Sequence, residues 1–421
     1  MRISLWARCA LVVCAAVSLL ADCSNGGSPL AAPVPMPQSA LQSSLVRSIP
    51  LRPASGSGYE VLHDFYGSSG DGEGPHAGLV AFNGTFYGTT SAGGSADDGT
   101  VFTISATGKE RVIFSFNGSD GSGPGSVLLP YKGKLYGTTN GGGNGPYPLG
   151  VVYSVTAAGK ERMLYAFKGG ADGDYPSDAG LVLYNGLFYG TTAGSGGTSG
   201  DGTVFSISPS GKHHVVLYNF KGSPDGNEPS AGLVLYNGTF YGTTYTGGAS
   251  CNIGGGCGTV FAITPSGMET VLHSFKGKSD GSGPQAALIV YDGLLYGTNS
   301  GYPSVAPGTV FSISTSGKLH TLHTFAPPYG SGDGAYPLAG LVAVKGTLYG
   351  TTALGGADAF GTVFSIGPTG KNYKCCLHSF TGYSDGGYPT AGLLLYKGTL
   401  FGTSNGQLNH NIPGTVYKLT P

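Results

Sequence analysis

The sequence predicts an all-β fold, a seven-bladed β-propeller with four antiparallel strands per blade and the last blade closed by the N-terminal strand. Three observations carry that expectation. Asp-Gly-x-x-Pro occurs seven times, beginning at Asp71, Asp120, Asp172, Asp225, Asp280, Asp333 and Asp385, at spacings of 49 to 55 residues. Each interval holds four short strand patterns and no helical periodicity. The repetitive body begins with one strand type and ends one strand short of a full unit.

Within a unit, residues 232–236 (Gly-Leu-Val-Leu-Tyr) and 239–243 (Thr-Phe-Tyr-Gly-Thr) flank Asn237-Gly238, a dipeptide suited to the positive φ angles of a type I′ hairpin. We call these strands a and b. A Gly-rich loop leads to strand c, residues 258–263, and Pro265-Ser-Gly267 turns the chain into strand d, residues 270–275. Tyr87, Tyr136, Tyr189, Tyr241, Tyr296, Tyr349 and Phe401, each followed by Gly-Thr, recur in the same rhythm. So does Gly-x-Val-aromatic, from Gly99 to Gly414. Four strands in about fifty residues is the length of a propeller blade. The body starts with a d-type strand at Tyr59 and ends with a c-type strand, so pairing the two completes the last blade and leaves no open sheet edge. An open superhelical array is the alternative, and it leaves both terminal units incomplete.

Composition agrees with one repetitive body. The 421 residues include 78 Gly and 26 Tyr but only 10% charged side chains, and a hydrophobic fraction of 40% argues against disorder. With 21 basic and 22 acidic residues and no block of either sign, the chain lacks the electrostatic footprint of a nucleic-acid binder.

Ahead of the body, Arg2 and Arg8 precede an apolar run over residues 9–21, too short to span a bilayer, so residues 1–23 read as an export signal. The sequence Leu20-Ala21-Asp22-Cys23 resembles a bacterial lipobox, which implies lipidation of Cys23, although Asp22 stands where that pattern has a small residue. Ordinary cleavage and release is the other reading. Residues 24–58 carry six prolines and only Arg47 and Arg52 as charges, the composition of a tether. The expected organisation is therefore signal (1–23), tether (24–58) and propeller (59–421), with contact to a membrane only through the N-terminal lipid.

The repeat resembles a tandem repeat family called GloVer, found in exported bacterial proteins with varied surface anchors. The elements that carry the resemblance are Tyr-Gly-Thr-Thr, Gly-Thr-Val-Phe and Ser-Gly-Lys, as at residues 189–192, 202–205 and 210–212. The resemblance implies an exported repeat protein and supplies no chemistry.

Candidate sites divide into recurring and non-recurring residues. The seven loop aspartates read as structural turn residues that accept backbone hydrogen bonds. Each loop supplies too few carboxylates for calcium, which takes six to eight oxygens, so no metal and no cofactor is expected. His63, His273, His323 and His378 occupy a d-strand position that is Phe114, Tyr165 and Tyr218 elsewhere, and read as packing residues. His213, His214, His320 and His410 match no nucleophile or carboxylate pattern. Export permits a local disulfide between Cys251 and Cys257. Cys375 and Cys376 are adjacent in a d strand, where neighbours point to opposite faces, and read as packing residues.

Function is expected on the face that carries the long d–a and b–c loops. Tyr175, Tyr336 and Tyr388 stand just before Pro in d–a loops, where aromatic rings can stack on sugars or pack between neighbouring blades, and Asp174 and Glu228 lie in loops of the same kind. The expected role is a monomeric binding module for a glycan or protein. The runner-up is a polysaccharide hydrolase or lyase, distinguished by a pair of carboxylates on that face. Neither a Walker loop nor His-Glu-x-x-His occurs.

Overall fold

The computed structural model describes residues 58–421 apart from short loop segments at 68–69, 145–147, 177–179, 195–199, 250, 252–254, 278–279, 303–305, 327–331 and 408–411. The signal, the lipobox with Cys23, nearly all of the tether, and His410 lie outside the described residues.

Seven antiparallel sheets form seven blades. Blade 1 runs a to d through Val80–Phe82, Thr85–Thr90, Thr100–Ile104 and Glu110–Ser115. Blades 2 to 6 repeat that order, their a strands beginning at Leu129, Val182, Val234, Ile289 and Val342. In blade 7, Leu394–Tyr396, Thr399–Ser404 and Gly414–Leu419 are completed by Tyr59–Phe65, which pairs with the C-terminal strand from Tyr59 opposite Leu419 to Phe65 opposite Gly414.

The recurring residues explain themselves in this geometry. Every a–b turn is a type I′ pair with both φ positive, as at Asn83 (50°) and Gly84 (78°). The Gly of Tyr-Gly-Thr lies under the aromatic ring of strand c: a Cβ at Gly242 would come 2.5 Å from Phe261 Cζ. The following Thr ties blade to blade, since Thr191 Oγ1 donates to the Ala231 carbonyl at 2.9 Å and Thr403 Oγ1 to that of Ala77 at 3.1 Å. The Gly that opens strand c receives the loop proline of the next unit; a Cβ at Gly99 would lie 2.6 Å from Pro124 Cδ.

The c strands are buried over nearly all of their length, and among the described residues seven apolar clusters each join two neighbouring blades. The cluster that closes the ring sets Phe65, Phe401 and Val416 against Leu79, Phe86 and Phe102. Burying each such phenylalanine stabilises the fold by about 2–3 kcal/mol.

Each c–d pair carries a register shift in its middle, as between Val101 opposite Phe114 and Phe102 opposite Val112. The bulge turns the d-strand residue that follows it toward the neighbouring loop. Blade 6 departs from this pattern. Its ladder passes from Val363 opposite His378 directly to Ser365 opposite Lys374, because two extra residues separate Gly370 from His378 compared with Gly267 and His273. Cys375 and Cys376 fall in that enlarged bulge and are joined by a disulfide. This corrects the expectation of separate packing cysteines: strand alternation, which would part the two side chains, is interrupted there. Cys251 and Cys257 are also joined, with Cα atoms 6.0 Å apart, in the b–c loop of blade 4.

Candidate functional site

The site is built from the Asp-Gly-x-x-Pro loops. Their aspartates cap backbone N–H groups of the preceding strand end: Asp172 accepts from Lys168 N at 2.8 Å, Asp225 from Lys221 N at 3.1 Å and Asp333 from Ala326 N at 3.2 Å. In the loops of Gly123, Glu228, Gly283 and Tyr388 the fourth residue is a strut between blades, its N–H donating to one blade and its carbonyl accepting from the next. Glu228 N donates to the Asp201 carbonyl of blade 3 at 3.0 Å, and the Glu228 carbonyl accepts from Tyr245 N of blade 4 at 2.9 Å. Tyr388 makes the same pair of bonds to the Phe360 carbonyl and Asn405 N.

The fourth position takes a left-handed backbone in every loop. Gly74, Gly123 and Gly283 meet it at φ 62°, 62° and 65°. In the other four loops the position is Tyr175, Glu228, Tyr336 and Tyr388, at φ 51°, 61°, 55° and 58°. A residue with a Cβ is disfavoured there by about 1–2 kcal/mol, and a following proline disfavours it further. Four bulky side chains are thus held where glycine fits better.

The predicted residues reach different surroundings. Tyr175 and Tyr336 are half-buried. Tyr388 is buried, its ring edge-on to Phe360 at 5.5 Å. Asp174 is buried in a short ladder opposite Gly194. Glu228 is 8% exposed and sits beside Asp201; burial first, then the Asp201 charge, pushes its carboxyl up to about 7, against a smaller opposing hydrogen bond from Thr246. Beside Glu228, Tyr245 stacks on Tyr302 with centroids 5.6 Å apart and planes 18° from parallel. Sequence reasoning missed Tyr245, Tyr302 and Asp201. Tyr245 was within reach, because its position after strand b is Ser91, Asn140, Ala193, Ser300, Ala353 or Asn405 in the other blades.

The structure also revises the histidines. The position after the d-strand bulge faces the loop aspartate: His273, His323 and His378 Nε2 lie 3.2, 3.2 and 3.1 Å from Asp280, Asp333 and Asp385. Tyr165 and Tyr218 donate their hydroxyls to Asp172 and Asp225 at 2.6 and 2.9 Å. His214, which matched no carboxylate pattern, has Nδ1 3.4 Å from Asp172 and its ring stacked on Tyr165. These groups are polar partners of the scaffold aspartates. Burial raises the Asp333 and Asp385 carboxyls, but hydrogen bonds from their histidines, from Tyr373 and from Thr381 outweigh it and hold both below the usual range.

A closed ring of seven four-stranded blades, with its non-recurring side chains gathered in d–a and b–c loops, defines a β-propeller. The chain belongs to the Gloeobacter/Verrucomicrobia repeat family, whose model matches residues 49–255 and 251–421. No curated protein matches the chain. Among solved structures, it is similar to the tricorn protease at 10% identity and a TM-score of 0.41, over 78% of this chain and 27% of that one. It is similar to a putative 6-phosphogluconolactonase from Bacteroides uniformis at 16% identity and a TM-score of 0.49, over 81% and 92% of the two chains. TolB from Acinetobacter baumannii matches at 15% identity and a TM-score of 0.36, over 69% and 62%.

Proposed function

We propose that this propeller is an exported, envelope-attached binding module that takes a glycan on its loop-rich face. The observation that supports the reading is the left-handed backbone at Tyr175, Glu228, Tyr336 and Tyr388. The strut that Glu228 and Tyr388 form needs no side chain, since Gly123 and Gly283 form it elsewhere. Bulky groups kept at a conformational cost mark positions with another use. Tyrosine rings beside buried carboxyls suit sugars, whose apolar faces stack on aromatics and whose hydroxyls bond acidic groups. The Tyr245–Tyr302 stack beside Glu228 enlarges that surface. Export and the lipid on Cys23 rest on the N-terminal sequence.

A glycan array probed with the chain tests the reading. Binding that weakens at least tenfold in Tyr245→Ala and in Tyr336→Gly supports it; silence across the array, or hits indifferent to both substitutions, overturns it.

One observation favours a second reading, cleavage of a polysaccharide. Glu228, its carboxyl pushed up to about 7, adjoins Asp201, and a pair of carboxyl groups with one raised is what glycoside hydrolysis uses. Release of reducing sugar from an array hit, abolished in Glu228→Gln while binding persists, distinguishes cleavage from binding.

A further inference from the structure

The junction between the closing strand and blade 1 differs from the others around the rim. There His63 from the N-terminal strand, Asp71 from the loop that follows it and Glu110 from strand d of blade 1 come together, their ligating atoms all within 4.8 Å of one another. His63 Nε2 stands 3.7 Å from Asp71 Oδ1, wider than the 3.1 to 3.2 Å of the three sister histidine pairs. His63 Nε2 and Glu110 Oε1 are shielded from water and make no hydrogen bond. Where the d-strand residue is His273, His323 or His378, the third group is the apolar Leu319 or a stacking ring, Tyr373 or Tyr59, while Glu161 and Glu269 take that place beside Asp120 and Asp225, where the d-strand residue is Phe114 or Tyr218; among the described residues a histidine meets two carboxylates only here.

We propose that His63, Asp71 and Glu110 form a divalent-cation site of the zinc class that ties the ring-closing strand to blade 1. One imidazole nitrogen and two carboxylates are a donor set that zinc accepts at roughly 2.0–2.2 Å, so the three groups need to draw in by about 1 Å. Asp71 is already oriented for this role: its Oδ1 accepts from Gly72 N at 2.8 Å and its Oδ2 from Tyr66 N at 3.3 Å. Such outer contacts fix a ligating carboxylate. Two carboxylates facing one another favour a cation between them. The expectation of no metal weighed the loop aspartates as calcium ligands and set aside the d-strand histidines because Phe114 takes their place in a sister blade; the histidine and the glutamate come from strands on either side of Asp71 that only the ring brings together.

Zinc is the probe, added to the chelator-treated full chain. His63→Phe and Glu110→Leu are conservative tests, because Phe114 and Leu319 occupy the equivalent positions of sister junctions. The wild-type chain should bind one zinc that His63→Phe and Glu110→Leu each weaken at least tenfold and that the control His273→Phe leaves unchanged. Zinc bound by the cysteines of the N-terminal segment is common to every variant and subtracts. Zinc should also raise the thermal midpoint of the wild type and of His273→Phe but not of His63→Phe. Equal zinc binding by the wild type and a folded double variant overturns the site, whatever the glycan array shows.

Discussion

Pro75 seats on Gly414. A Cβ at Gly414 would lie 2.4 Å from Pro75 Cδ, the fit that Gly99 makes with Pro124 and Gly361 with Pro389 at 2.6 and 2.7 Å. The two residues stand near opposite ends of the repetitive body, so their contact is the seam of the ring drawn with the same parts as every other junction. Gly414→Ala should therefore lower unfolding free energy by about 2 kcal/mol, the cost of overpacking a tight contact. Urea denaturation checks it, and a loss below 0.5 kcal/mol, the size of an ordinary surface substitution, rejects the fit.

At the left-handed fourth positions of the loops, side chain and backbone preference oppose one another. Tyr336→Gly and Tyr336→Ala remove the same ring, yet the glycine variant should be the more stable by about 1 kcal/mol, because only alanine keeps the Cβ penalty. Paired denaturation curves decide it. Equal stability would mean that the left-handed backbone at this position carries no strain.

Two core tyrosines stand where five sister blades hold phenylalanine. Tyr153 and Tyr417 are fully buried over Gly137 and Gly402, and their hydroxyls have no hydrogen-bond partner. A buried hydroxyl in that state is costly. Tyr153→Phe and Tyr417→Phe should each stabilise the fold by about 1 kcal/mol, read as a higher thermal midpoint. A lower midpoint for either would show that its hydroxyl is in use.

Burial raises three carboxyls, Glu161, Glu228 and Glu269, from the usual 4.5 to about 7. Below 4.5 the folded and unfolded states are both protonated and nothing is lost. Between 4.5 and 7 the unfolded state releases protons that the folded state retains, so stability falls as pH rises across that window. Glu228→Gln should match the wild type at pH 4 and exceed it at pH 8 by on the order of 2 kcal/mol. A stability difference that does not change between the two pH values contradicts the buried, protonated carboxyl.

The blades, their type I′ turns and the seam were legible because each rests on residues that recur: Asn237-Gly238 needs positive φ, and a d-type strand at Tyr59 needs a c-type partner. What lay hidden depends on neighbours distant in sequence. The His378–Asp385 contact spans only seven residues, yet the bulge that aims the histidine cannot be seen in strand alternation. Glu228 beside Asp201, and Tyr245 against Tyr302, join loops of different units, and periodicity aligns such residues without saying which of them touch. Cys375 and Cys376 misled because two inserted residues convert a regular strand into a bulge, a local change that the repeat pattern averages away.

The pairing of Tyr59–Phe65 with Gly414–Leu419 also has a kinetic consequence. Six blades draw all four strands from one continuous stretch and can collapse as soon as that stretch is available. The seventh must bring together strands separated by nearly the whole body, and closing so long a loop is entropically slow. Until it closes, strand c of blade 7 presents an unpaired edge. The ring should thus assemble as an arc of preformed blades followed by one late clasp. Residues 59–65 would then be the last segment of the body to become protected from hydrogen exchange during refolding.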